Sequence, residues 1–258
     1  MRIISWNING IKAHFDALKD LVTRYEPDIL CLQKVKSSKG IEAFPLEGYE
    51  SFDISTYRSR YNGVGTYYRN IDFPLMNFPN NLAAEGHFQA LRIRPQMHVL
   101  FNIYAPFSCL RDLKYSEARR KWDDLLFLFA KDVSSYTLLI MCGDFNVVNQ
   151  SYDTWTRNCN HDKPCYYSWE RANFGKLLQQ WDLVDAFRQL HPQEMKFTYF
   201  DSKGDDRASN QGDSIDYFLI SRSLMPYITR CDIIDNITAS NSNPILDCSV
   251  AVPSPANR

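Results

Sequence analysis

Two passages of this chain repeat one order of elements, and that order limits the folds open to it. Arg2 to Ile8 alternate polar and apolar residues, as a half-buried strand does. Phe15, Leu18, Leu21, Val22 and Tyr25 then recur at helical spacing, and Asp28-Ile-Leu-Cys-Leu32 is a short apolar run after Pro27. The second passage runs through His98-Val-Leu-Phe-Asn-Ile-Tyr104, a helix predicted from about Tyr115 to Lys131, and Tyr136-Thr-Leu-Leu-Ile-Met-Cys142. Strands and helices that alternate in this way predict sheets covered by helices. Farther on, Gln150 to Tyr167 is polar and irregular, Ser168 is placed to cap a helix through Phe174, Leu177 and Leu178, and Ser214 to Ser221 reads as a strand.

With 258 residues, 45% apolar and 23% charged, the chain is expected to form one globular domain over residues 1–253, with 254–258 as a short polar tail. Lys and Arg total 29 against 30 Asp and Glu, a formal charge of -1 that argues against a dedicated nucleic-acid binder. Any affinity for DNA has to come from a local patch. The seven cysteines are odd in number and scattered through mostly apolar runs, which predicts reduced core thiols and a reducing cytoplasm. The amino-terminal residues have no signal-peptide pattern and no apolar run approaches the roughly 20 residues of a membrane span, so the expectation is a monomeric cytoplasmic protein without a membrane partner.

Four polar motifs follow strands: Asn7-Ile-Asn9-Gly10, Asn102-Ile-Tyr104-Ala-Pro106, Gly143-Asp144-Phe-Asn146 and Ser214-Ile-Asp216-Tyr217. Neighbouring strand ends converge, so this pattern gathers amides, carboxylates and a phenol at one rim. Singly, each motif reads as a turn. Their joint order carries the signal.

Together with Pro27-Asp-Ile-Leu-Cys-Leu-Gln33, Tyr61-Asn-Gly-Val-Gly65 and Arg207 to Ser221, these motifs resemble the exonuclease III and apurinic/apyrimidinic endonuclease family over nearly the whole chain. The resemblance implies a four-layered α/β-sandwich, with two mixed β-sheets face to face and helices outside. It also implies Mg²⁺, held partly by the glutamate of a Leu-Gln-Glu motif, and a Ser-Asp-His motif that supplies a catalytic histidine and its orienting aspartate. In such proteins the Asp and Asn of Gly-Asp-x-Asn activate water and bind phosphate. By that resemblance Asp144, Asn146, Tyr104 and Asp216 are the retained catalytic candidates, and Asn7 and Asp216 the metal candidates.

Elsewhere the motifs depart. Leu32-Gln33 is followed by Lys34, an ammonium that cannot coordinate Mg²⁺ and repels it. At ~4 Å and an effective dielectric near 20, that repulsion is about 8 kcal/mol, enough to empty a weak site. The Lys34 side chain either fills the metal position and pairs with Asp144 or Asp216, or reaches solvent. Ser240-Asn241-Ser242 stands where Ser-Asp-His is expected, and neither Asn241 nor Ser242 replaces an imidazole or its carboxylate partner. Phe107, His87 and Asp213-Ser214 replace the asparagine, arginine and Trp-Arg that the resemblance puts on the substrate-reading face.

Asn9, Arg111 and Asn210 are the candidate nucleic-acid contacts. Arg111 opens a run with Lys114, Arg119, Arg120 and Lys121, but Asp112, Glu117, Asp123 and Asp124 are interleaved, as on a solvated helix face. Cys159, His161 and Cys165 offer three soft ligands without a fourth, so a plain loop is the simpler reading. The sequence therefore predicts a catalytically inactive or strongly impaired relative of exonuclease III, with no or weak Mg/Mn and residual binding of DNA or a protein partner. Two alternatives stay open: an active Mg/Mn-dependent phosphodiesterase with a rearranged centre, and a protein-interaction module using aromatics such as Phe107 and Tyr61.

Overall fold

The computed structural model describes all residues except 55–61, 72–75, 77–79, 94–97, 110–111, 135–137, 158, 160, 201–205, 238–244 and 252–258. Strand β1 (Arg2–Asn7) leads through α1 (Ile11–Tyr25) to β2 (Ile29–Gln33), which lies parallel to β1 with Asn7 opposite Gln33. A parallel pair needs a crossover of this kind. Helix α1 buries Ile11, Leu18 and Leu21, and the chain leaves it through Glu26 in a left-handed conformation, φ 42°. Strands β3 (Glu50–Ile54) and β4 (Val64–Tyr68), the short α2 (Asn80–Ala83) and β5 (Phe88–Ile93) follow. Then β6 (His98–Tyr104), α3 (Leu113–Ser134) and β7 (Leu139–Asp144) repeat the first unit, with β6 and β7 parallel and Tyr104 opposite Asp144. The rest comprises α4 (Ser168–Gln180), β8 (Leu183–Asp185), α5 (Ala186–Leu190), β9 (Asp216–Ser221), β10 (Ile228–Ile234) and β11 (Ile245–Val250).

These strands form two mixed sheets, ordered β10-β11-β1-β2-β4-β3 and β5-β6-β7-β9-β8. Ile3, Ile29, Cys31 and Cys248 of the first meet Leu100, Ile140, Cys142 and Phe218 of the second in one buried cluster, so the sheets pack face to face. Helix α1 covers the outer face of the first through Leu18 and Leu21 on Ile4, Trp6 and Leu32. Helices α3 and α4 cover the second, placing Trp122, Leu126, Phe174 and Leu177 against Phe101, Met141 and Leu219. This is the expected four-layered sandwich. Strands β2, β6 and β7 are buried along their whole length, which is why they read as continuous apolar runs.

Helix α3 outruns its predicted limits at both ends, with no Gly or Pro between Leu113 and Ser134 to stop it. Ser168 is the first helical residue rather than the cap; Tyr167 caps α4, and its backbone N–H donates to Glu170 Oε2 at 3.2 Å. Ser214 and Ile215 precede β9, so Asp216 opens its strand instead of following one.

Near one end of the sandwich the apolar interface gives way to a buried polar network. Gln33 Nε2 donates to Asn102 Oδ1 (2.8 Å) and Ser5 Oγ (3.0 Å), Asn102 Nδ2 donates to Thr66 Oγ1 (3.2 Å), and Thr66 Oγ1 donates to Gln89 Oε1 (2.7 Å). Hydrogen-bonded side chains of this kind tie the two sheets in one register.

Candidate functional site

Both parallel pairs deliver the carboxyl-terminal ends of their strands to one rim, and β9, antiparallel to β7, begins there with Asp216 opposite Asp144. Gly143 lets β7 reach this position. Its φ is 131°, and a Cβ on it would lie 1.9 Å from the Ile103 carbonyl oxygen, so only glycine permits the approach of β7 to β6. Beyond Asp144 the chain turns through Asn146 at φ 48°, which returns the Asn146 N–H to Asp144 Oδ1 at 2.8 Å. Asn146 Nδ2 donates to the Ala105 carbonyl (2.8 Å). The buried Arg119 guanidinium fixes the same loop from behind, donating to the carbonyls of Phe145 (2.9 Å) and Pro106 (3.0 Å) and to Asp123 (2.7 Å).

Asp144 is 2% exposed, and its Oδ2 accepts from Asn7 Nδ2 at 2.9 Å. Burial pushes its carboxyl up to about 6, against the pull of the Asn146 N–H, the Asn7 amide and the Lys34 and Arg119 cations. Burial and then the neighbouring Asp144 raise Asp216 well above the ordinary carboxylate range. Asp216 Oδ2 and Asn7 Oδ1 are buried without a hydrogen-bond partner. Burial also raises the Tyr104 phenol, followed by the charges of Asp144 and Asp216, so Tyr104 stays protonated at neutral pH. Asn7, Tyr104, Asp144, Asn146 and Asp216 are thus brought together, as their motifs predict.

Lys34 lies at the end of β2 at φ 53° and lines the same cleft, close enough to pull on the Asp144 carboxyl. Among the described residues it makes no ion pair with Asp144 or Asp216. Of the two readings of Lys34, the pairing with a carboxylate does not form. Above these groups opens a cavity of about 1160 Å³, with Asn9, Phe107, Trp155, His161, Lys163, Tyr199 and Asp213 on its walls.

Several predicted positions have other roles. His87 is 8% exposed, and its Nδ1 hydrogen-bonds the Tyr104 carbonyl; it supports Tyr104 from behind rather than facing substrate, because Phe88 pairs with Ile103 and seats His87 beside the strand end. Asn210 sits in an exposed turn and donates to the Met195 carbonyl (2.9 Å), beside Gln211, which does line the cleft. In the basic run, Arg119 is buried, Arg120 lies 3.8 Å over the Trp169 ring and Lys114 pairs with Asp112, so these three serve the fold or the helix surface. Cys159 donates to the Gln150 carbonyl (2.9 Å), Cys165 lies 3.8 Å from Asn146 Oδ1 and the His161 ring packs on Tyr166. These contacts are those of a plain loop. Arg111, Asn241, Ser242 and Tyr61 lie outside the described residues.

The profile of the endonuclease/exonuclease/phosphatase family matches residues 4–234. The chain belongs to that family. Within it, the chain is 26% identical over 251 residues to an exodeoxyribonuclease of Bacillus subtilis (strain 168), covering 95% of this chain and 98% of that protein. It is 27% identical over 255 residues to the DNA repair nuclease APEX1 of Danio rerio, covering 95% and 81% respectively. Its fold matches the crystal structure of AP endonuclease LMAP from Leishmania major with a TM-score of 0.85, at 21% identity, covering 98% of this chain and 88% of the other. It matches a 3′ phosphatase from Neisseria bound to product DNA hairpin with a TM-score of 0.84, at 22% identity, covering 97% and 99%. These are the exonuclease III and AP endonuclease members of the family.

Magnesium, the metal such relatives imply, demands near-octahedral oxygen coordination and gives up its waters reluctantly. Among the fully buried side-chain oxygens at this rim, one from Asn7 and one from Asp216 are left without a protein partner, and the adjoining strand end presents the Lys34 ammonium. Among the described residues no group of three or more His, Cys, Asp or Glu could hold a metal. The donor set does not fit a tight Mg²⁺ site.

Proposed function

We propose that this protein is an exonuclease III-like member of its family in which phosphodiester hydrolysis is abolished or strongly impaired, and in which the inherited cleft still binds nucleic acid. The observation that carries this reading is Lys34. At the end of β2, beside Asp144, it supplies a cation where the family resemblance calls for a metal-binding glutamate.

The remaining groups hold geometry without completing a proton path. Asp144 is anchored by Asn7 and Asn146 and presents a fixed acceptor to anything bound above it. Tyr104, held protonated, is a donor to a phosphate oxygen. Asn146 commits one amide hydrogen to Ala105. A proton must still move during phosphodiester cleavage, and by their position in the sequence Asn241 and Ser242 stand where the aspartate and histidine would act; losing such an acid–base pair alone costs about 10²–10⁴ in rate. All seven cysteines are free, which supports a reducing, cytoplasmic setting.

A second reading keeps the chain active on a phosphodiester with Mg²⁺ or Mn²⁺. The adjacent Asp144 and Asp216 carboxyls and the orphan oxygen of Asn7 favour it. Single-turnover cleavage of a duplex oligonucleotide carrying one abasic site, with protein in excess, separates the two readings. No product above an Asp144→Ala control is expected. Mg²⁺- or Mn²⁺-dependent product that Asp144→Ala abolishes would establish the second reading and overturn the first.

A further inference from the structure

The two walls of the cleft differ in chemistry. On the side of the first sheet, Lys34 and Lys36 flank the buried Val35, and both lysines hold left-handed backbone, φ 53° and 52°. Such conformations cost ~1–3 kcal/mol each in a residue other than glycine and persist only where neighbours impose them. Here the Gly10 N–H donates to the Lys34 carbonyl (2.9 Å), the Lys36 N–H donates to the Asn62 carbonyl (2.9 Å) and the Val35 N–H donates to the Gly63 carbonyl (3.1 Å). Lys36 Nζ donates to Asn9 Oδ1 at 2.7 Å, on the cleft wall. Burial and then the nearby Lys34 depress the Lys36 ammonium, so the two cations stand in each other's field. Among the described residues neither makes an ion pair. Paired cations of this kind are relieved by an anion settling between them.

The opposite wall is aromatic. Trp155 is 47% exposed and Phe107 51%, and Tyr199 joins them on the cleft. Trp155 is fixed by its N–H on the Gly212 carbonyl (3.0 Å), and Tyr199 pairs through its backbone with Asp213. Gly212 has no room for a side chain, because a Cβ would lie 2.6 Å from the Tyr199 carbonyl oxygen, so this wall is closely packed. Its acid, Asp213, accepts from the Tyr166 hydroxyl at 2.5 Å. This side of the cleft mixes Asp206 and Asp213 with Lys163 and offers flat aromatic faces to bases, while Lys34 and Lys36 attract phosphate.

We infer that the cleft binds single-stranded nucleic acid without a divalent metal, phosphates lying on Lys34 and Lys36 and an unstacked base on Trp155 and Phe107. The inference rests on the reading of a non-hydrolysing cleft and adds to it the strand type and the built-in cations that hold it. A duplex must spend a few kcal/mol unstacking and unpairing a base before an aromatic side chain can take it, a cost that a single strand largely avoids. The ligand chemistry is a nucleotide unit, offered by a strand or by a free mononucleotide.

Fluorescence anisotropy of a labelled thymidine decamer in EDTA tests the inference, beside the same label on a blunt duplex and with thymidine monophosphate as competitor. The decamer is expected to bind in EDTA at least tenfold tighter than the duplex. Lys34→Ala/Lys36→Ala should lose at least tenfold and flatten the salt dependence by about 1.4 in log–log slope, two single-strand phosphate contacts. Trp155→Ala should lose about tenfold with the slope unchanged. Lys121→Ala, on the exposed face of α3, should change nothing. If the double variant folds poorly, Lys36→Gln at the exposed rim carries the same test. Displacement by the monophosphate assigns the site to a single nucleotide and its absence assigns it to a strand; both support the inference. No binding in EDTA, equal affinity for the duplex, or an unchanged lysine variant would overturn it. Because binding is read without metal, cleavage found separately in Mg²⁺ would sink the proposed function and leave this result standing.

Discussion

Gly143→Ala probes how the centre of the rim is assembled. At φ 131° an alanine is strained by ~1–3 kcal/mol before it touches anything. Its Cβ would lie 1.9 Å from the Ile103 carbonyl oxygen and 2.9 Å from the carbonyl carbon, where contacts between carbon and oxygen ordinarily stay beyond about 3.3 Å. Both atoms are backbone in the parallel partner strand, so no side chain can swing aside. Relief requires β6 and β7 to part by more than an ångström, weakening one or two ladder hydrogen bonds of ~0.5–1.5 kcal/mol each. The sum is ~1.5–6 kcal/mol, whose upper part exceeds the usual range for one substitution. For a chain of this size, with about 2–4 °C of Tm lost per kcal/mol, calorimetry should record a fall of ~10 °C. A fall under about 2 °C would refute the close approach and the account of Gly-Asp-x-Asn built on it.

Arg119→Met leaves Asp123 and the carbonyls of Pro106 and Phe145 without their guanidinium, and urea unfolding should show a loss of ~3–5 kcal/mol; a loss below ~1 kcal/mol would contradict its role as the clamp behind the Asn146 loop. Asp185 caps α5 by accepting from the Arg188 N–H at 3.1 Å, and burial, then the charge of Asp153, pushes its carboxyl up to about 7. Because the folded value is raised, the stabilisation from its neutral form is complete below its ordinary value near 4 and is lost as pH rises through 7. Asp185→Asn keeps the cap and removes the charge, so with a discount for partial exposure it should stabilise by ~1–3 kcal/mol at pH 8 and hardly at all at pH 4.5. Equal shifts in urea midpoint at the two pH values would rule this out.

Much of the fold was legible because β2, β6 and β7 lie in the middle layers, where burial on both faces leaves apolar runs that survive in the sequence, whereas β1, whose alternation reads as a half-buried strand, is buried at every position after Arg2, Ser5 and Asn7 included. Edge strand β10 mixes exposed and buried positions, and the described residues of β3 are exposed or half-buried, so neither carries such a mark. The rim residues Asn7, Tyr104, Asp144, Asn146 and Asp216 were legible from motif order, although Asp216 reaches the rim by opening an antiparallel strand. Asn102 illustrates what was not. It belongs to a recognised motif, yet its amide ties the two sheets together below the rim, and Gln33, Thr66 and Gln89 join it there. A lone polar residue in a strand looks the same in sequence whether it faces solvent or a buried partner on another sheet. Trp155 and Tyr199 went unnoticed for a related reason: aromatic residues in irregular segments carry no period, and only the pairing of Thr154 and Tyr199 with Asp213 brings them to the cleft.

The claim that Lys34, Asn241 and Ser242 account for lost hydrolysis is tested most directly by restoring the expected residues. Lys34→Glu/Asn241→Asp/Ser242→His, the native chain and Asp144→Ala would be compared in single-turnover cleavage of the abasic-site duplex with Mg²⁺. The account predicts that the native chain matches Asp144→Ala and that the triple variant gains cleavage, which adding Asp144→Ala removes. Cleavage by the native chain at a rate comparable to the triple variant would contradict it.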